Sequence, residues 1–207
     1  MTTDSKMIEP QTQAESRRWL RLGPAAAVAG GALWLMSLLL PYLIPAEQGS
    51  GADYRITNVP LFSFYVAMGA AAFLLFPIAI SGLRLHAARQ ETPMGAAGKI
   101  GAILVWIGAV LFSLQFVALI AGAISGTPIQ FFVLYFFAVP LFSLGMILVG
   151  ISALRALRGQ PGRIAPLLIA VFALLAFLIE ADPYHDIAFV LFGLTWVLLG
   201  LNMRRNR

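Results

Sequence analysis

The sequence predicts an all-α membrane protein, a six-transmembrane-helix bundle with both termini cytoplasmic. Three observations predict it. The first is an uncharged stretch: Ile100 to Leu154 holds 55 consecutive residues without Asp, Glu, Lys, Arg or His, far more than the ~20 that one helix needs to cross a bilayer. It has to fold as a helical hairpin, turning near Ser125, Gly126, Thr127 and Pro128. The second is composition. With 60% hydrophobic and 11% charged residues and a mean hydropathy of +0.86, the chain lies outside the range of water-soluble domains. The third is the placement of its 14 basic residues, of which 13 fall in segments that six spans would leave on one side of the membrane.

Taken in order, the predicted spans are Leu22 to Pro45, Val59 to Leu83, Ile100 to Ile124, Ile129 to Leu154, Ile164 to Ile179 and Ile187 to Met203. Residues 1–21 then form a cytoplasmic tail with a basic juxtamembrane anchor, residues 22–203 the membrane domain, and residues 204–207 a basic cytoplasmic tail. Six spans place Lys6, Arg17, Arg18, Arg21, Arg84, Arg89, Lys99, Arg155, Arg158, Arg163, Arg204, Arg205 and Arg207 on one side and Arg55 alone on the other. That is the positive-inside rule. Five or seven spans would break it at one end of the chain. The net charge of +5 is therefore read as a topology signal and not as a nucleic-acid surface.

Met1 to Ser16 is polar and lacks apolar periodicity, so it is expected to be disordered or loosely surface-attached. Ser16-Arg17-Arg18-Trp19-Leu20-Arg21 has the look of a twin-arginine export signal. The apolar run behind it is long enough to span, which favours an anchor of snorkelling Arg and an interfacial Trp19.

Within the spans, small residues recur at helical spacing. Gly23, Ala27 and Gly31, then Gly101 and Gly108, then Gly193 and Gly200 mark faces where helices are expected to meet, because helices in lipid associate through close backbone approach. Pro41, Pro77 and Pro140 deprive the carbonyls of Ser37, Phe73 and Phe136 of their helical partners and predict kinks. The pentapeptide Val59-Pro60-Leu61-Phe62-Ser63 returns as Val139-Pro140-Leu141-Phe142-Ser143. The two copies sit at different depths, which speaks against a simple duplicated hairpin.

Polar residues inside the spans are few: Ser37, Ser113, Gln115, Gln130, Ser143 and Thr195. Gln115, Ser113, Ser143 and Thr195 fall at mid-depth, where an unpaired amide or hydroxyl is costly. They are expected either to hydrogen-bond between helices or to line a neutral polar pathway. Phe131, Phe132, Tyr135, Phe136 and Phe137 form an aromatic band expected to face lipid or the interface.

One cluster carries potential ligands. Glu180, Asp182, Tyr184, His185 and Asp186 crowd the turn between the last two spans, so Glu180, Asp182, His185 and Asp186 are the candidate metal or proton site. The flanking apolar runs, sixteen and seventeen residues, give about 24 and 26 Å of helix. Both fall short of a ~30 Å hydrocarbon core, so the acidic turn is a candidate for recession below the outer rim. An ordinary acidic outer loop is the simpler account.

Other chemistry finds no residues. Cys is absent, so disulfides and thiolate sites are excluded. His86 and His185 are expected at opposite faces and cannot together clasp a haem. No nucleophile elbow, phosphate-cradling loop or paired-His zinc helix appears. The expectation is a non-catalytic protein without cofactor, partnered by the bilayer and by other membrane chains or copies of itself, as an accessory subunit or homo-oligomer. A small permease or lipid-handling protein is the alternative.

The basic turn Leu154-Arg155-Ala156-Leu157-Arg158-Gly159-Gln160-Pro161-Gly162-Arg163 and the ending Phe192-Gly193-Leu194-Thr195-Trp196-Val197-Leu198-Leu199-Gly200 resemble those of uncharacterised small six-helix integral membrane proteins of bacteria. The resemblance implies a fold class and a bacterial cell membrane, and transfers no functional residue.

Overall fold

The computed structural model describes residues 5–48, 55–89, 92–126, 132–157, 163–178 and 184–205. It is all-helical apart from one tiny hairpin. In chain order come α1 (Ser5–Leu43), β1 (Glu47–Gln48), β2 (Arg55–Ile56), α2 (Val59–Arg89), α3 (Gly95–Ser125), α4 (Phe132–Ala156), α5 (Ala165–Leu178) and α6 (Tyr184–Arg205). Five of these helices are long and apolar enough to cross a membrane; α5 is equally apolar but shorter. At 14 residues it is about 21 Å long.

The apolar boundaries read from sequence match the helices closely at the end that holds Arg55. At the opposite end the helices run on. α2 continues through Arg84 to Arg89 and α3 begins at Gly95, so most of the expected Arg84 to Lys99 loop is helix. Likewise α1 starts at Ser5, where a disordered tail was expected. Hydropathy marks where a helix leaves hydrocarbon, not where its backbone hydrogen bonding stops. Ala, Arg, Glu and Gln propagate a helix well, and extending an existing helix needs no new nucleus.

Each helix packs on its neighbours in sequence, and α1 also packs on α6, closing a ring. The glycine contacts give the directions. A Cβ at Gly23 would come within 2.6 Å of Gly82 Cα, and one at Gly30 within 2.9 Å of the Phe76 ring, so α1 and α2 are antiparallel. A Cβ at Gly101 would meet Gly145 O at 2.7 Å and one at Gly108 the Phe142 backbone nitrogen at 2.7 Å, which makes α3 and α4 antiparallel. Gly31 against Gly193, with Gly200 against Pro24, sets α6 antiparallel to α1. The faces predicted from small residues are thus real contact faces. Lipid tails solvate apolar side chains as well as a neighbouring helix does, so close packing at these glycines is what holds the ring.

The α1–α2 connection folds back on the bundle. Glu47 pairs with Ile56 and Gln48 with Arg55, Thr57 N donates to Ala46 O at 2.8 Å, and the Tyr65 hydroxyl donates to Ile44 O at 2.9 Å. Asn58 starts α2 by accepting the Leu61 N–H on its side-chain oxygen at 3.1 Å, the work of an N-cap residue. At the far end of α3, Gly126 ends the helix in the left-handed conformation, φ 69°, as the expected turn requires.

Candidate functional site: an aromatic cavity where six helices meet

The centre of the ring is filled by aromatic side chains. Phe73 of α2 stacks on Phe112 of α3, centroids 4.2 Å apart, and takes the edge of Trp34 of α1 at 5.4 Å. Phe142 of α4 meets Phe73 at 5.5 Å. One level nearer the basic end, Phe76 lies parallel to Trp196 of α6 at 4.2 Å. Rings of this size lock the helices in rotation, because edge-to-face and offset contacts are directional.

Beside this plug lies a cavity of about 230 Å³ to which every helix contributes. Trp34 comes from α1, Phe73 from α2, Phe112 and Phe116 from α3, Tyr135, Val139, Phe142 and Ser143 from α4, Ala173 from α5, and Phe189 and Phe192 from α6. It sits in the half of the bundle nearer the small hairpin. The short α5 helps to create it: with Gly150 against Leu167, the end of α5 at Leu178 comes level with about Val139 of an antiparallel α4 at equal helical rise. The Trp34 indole N–H is already engaged, donating to Phe189 O at 3.1 Å. Ser143 is 1% exposed, and its hydroxyl has no hydrogen-bond partner.

The four mid-depth polar residues do not gather. Ser113 Oγ donates to Ala109 O of its own helix at 2.9 Å and lies 3.4 Å from Ala70 O of α2. Thr195 Oγ1 donates to Leu191 O, also in its own helix, at 2.7 Å. Gln115 continues the Gly101 and Gly108 stripe at an interval of seven, and its buried Oε1 has no partner. Ser143 alone reaches the cavity. Hydroxyls in helices reach back to the carbonyl one turn earlier, which ties Thr195 locally, whereas Ser113 bonds both within its own helix and across to Ala70 O of α2. Of the two arrangements expected for these residues, Ser113 shows a bond between helices and Ser143 a place on a cavity wall.

The expected aromatic band on α4 also divides. Phe136 and Phe137 are exposed, as lipid-facing rings should be, whereas Tyr135 turns inward and meets Phe112 edge-on at 5.7 Å. Phe131 lies outside the described residues, as do Gln130, Glu180 and Asp182. Of the acidic cluster, His185 is placed on the first turn of α6, and Asp186 Oδ2 accepts a hydrogen bond from the Tyr42 hydroxyl. Tyr42 is in the last turn of α1, so Asp186 stands near the end of that helix. Among the described residues no three His, Asp or Glu side chains are grouped to hold a metal.

Sequence reasoning missed the cavity walls. Phe112 and Phe116, Tyr135 and Phe142, and Phe189 and Phe192 recur at intervals of three, four or seven, which is a face signal. The lipid side also accepts aromatic rings, so periodicity alone left the rotation of each helix open.

No protein-family model, curated protein or solved structure matches this chain. Fold and cavity define it as an apolar helical bundle of the kind that lives in membranes.

Proposed function

We propose that this chain is a non-catalytic, multi-pass protein of a bacterial plasma membrane, with both termini cytoplasmic, that works by packing against other membrane chains or copies of itself. The observation that carries this reading is the aromatic plug. Phe73, Phe76, Phe112, Phe142, Phe192 and Trp196 close the centre of the ring, leaving a scaffold in place of a polar route. A permease lined by Gln115, Ser113, Ser143 and Thr195 has less support, since only Ser143 meets the cavity. The orientation follows from charge. Arg18, Arg21, Arg84, Arg89, Lys99, Arg155, Arg163, Arg204 and Arg205 belong to the end that holds the α2–α3 and α4–α5 connections, and Arg55 to the other. Basic residues are retained on the cytoplasmic side.

Native mass spectrometry of the particle extracted from its own membrane in a mild detergent tests the role. A fixed-stoichiometry assembly, with other subunits or with itself, is the expected result. A strictly monomeric particle would overturn it.

A further inference from the structure

We propose that the cavity at the junction of the six helices binds a small, uncharged, single-ring lipophile whose one hydroxyl or carbonyl hydrogen-bonds to Ser143. This goes beyond a packing role and does not depend on it.

The polar half of the argument is Ser143. Five other hydroxyls in the helices, those of Ser37, Ser81, Ser113, Ser125 and Thr195, donate to carbonyls three or four residues earlier. Ser143 has the same option toward Val139 and does not take it. Its hydroxyl stays unpartnered at 1% exposure, on the wall of the cavity. A buried hydroxyl without a partner is destabilising, so this group is poised to gain from a ligand. It can serve a ligand hydroxyl as acceptor or a carbonyl as donor.

Size and shape come from the walls. An apolar cavity of ~150 Å³ accepts benzene; scaled to about 230 Å³, this one takes roughly nine non-hydrogen atoms. That suits one substituted ring and excludes a lipid chain or a multi-ring pigment. Aromatic walls offer both ring edges and ring faces, the arrangement a further ring prefers. Among the lining residues there is no Asp, Glu, Lys, Arg or His, so a charged ligand would be desolvated without compensation. The Trp34 N–H is held by Phe189 O; of the two hydroxyl-bearing lining residues, Ser143 and Tyr135, Ser143 carries the buried hydroxyl without a partner and is the group that sets ligand orientation.

The test uses the full chain in lipid nanodiscs, with 4-bromophenol as probe and bromobenzene as comparison, because bromine quenches indole emission and Trp34 lines the wall. Saturable quenching by both is expected, with bromophenol binding about five- to tenfold more tightly, the worth of one neutral hydrogen bond. Ser143→Ala should bring the two probes level, and Ala173→Leu, which fills the cavity, should abolish the saturable component while the thermal transition is kept. Quenching that rises linearly for both probes in the wild type, which is partition into the bilayer only, would overturn the proposal. So would a preference for bromophenol that survives Ser143→Ala.

Discussion

The indole of Trp196 lies flat on the ring of Phe76, centroids 4.2 Å apart and planes 8° from parallel, while its Nε1 hydrogen meets no acceptor. Both side chains are fully buried. The contact therefore combines a well-packed stack with an unsatisfied donor. Phe76→Ala opens a cavity under the stack and should cost about 2 to 3 kcal/mol, below the usual range for a buried Phe because lipid removes most of the transfer term. Trp196→Phe loses less volume and also removes the orphan N–H, so its cost should stay below about 1 kcal/mol. Reversible unfolding in mixed micelles measures both; equal losses would show that the stack does not organise the centre.

Gly23 and Gly82 let α1 and α2 touch backbone to backbone. A Cβ on either would come within 2.6 Å of the other's Cα, and backbone cannot swing aside as a side-chain tip can. Gly23→Ala and Gly82→Ala should each destabilise by about 1 to 3 kcal/mol through overpacking. Gly95→Ala, by contrast, meets nothing within 4 Å and suffers only from its φ of 58°, for about 1 kcal/mol. Thermal unfolding of the three variants should rank them in that order.

The two kinds of buried hydroxyl should respond oppositely to deletion. Ser113 has its helix carbonyl at 2.9 Å, and Ser113→Ala should cost about 0.5 kcal/mol. Ser143→Ala removes an unpartnered group and should be neutral or stabilising by up to about 1 kcal/mol in protein free of ligand. Denaturation midpoints compared side by side would contradict this assignment if Ser143→Ala were the costlier change.

Tyr42 and Asp186 join the ends of α1 and α6 at the surface, with Tyr42 66% exposed. Exposure screens the bond, so a double-mutant cycle of Tyr42→Phe and Asp186→Asn should give a coupling of no more than about 1 kcal/mol. A larger value would mean that this corner is drier than its accessibility indicates.

The chain has no Cys, so single cysteines report topology without a background. Arg55→Cys should react with a membrane-impermeant maleimide on intact cells. Arg205→Cys should react only after the membrane is opened. The reverse pattern would invert the orientation drawn from the basic residues.

Charge and hydropathy alone determined most of the architecture: the helix order, the hairpin turn at Gly126 and the small-residue faces at Gly23, Gly31, Gly101, Gly108, Gly193 and Gly200. These are one-dimensional properties, because lipid expels charge whatever the neighbouring helices do, and a side chain at i shares a face with those at i+4 and i+7. The helical extension to Ser5 and the continuous helix from Leu83 to Arg89 were hidden, since hydropathy ends at the hydrocarbon boundary while backbone bonding does not. The cavity was hidden for a different reason. Whether Tyr135 or Phe136 turns inward, and whether Ser143 or Ser113 meets open space, depends on how six helices are rotated against one another. In lipid that rotation is settled by the mutual fit of rings such as Phe73, Phe112 and Phe142. No residue carries that fit by itself, so only the tertiary structure decided it.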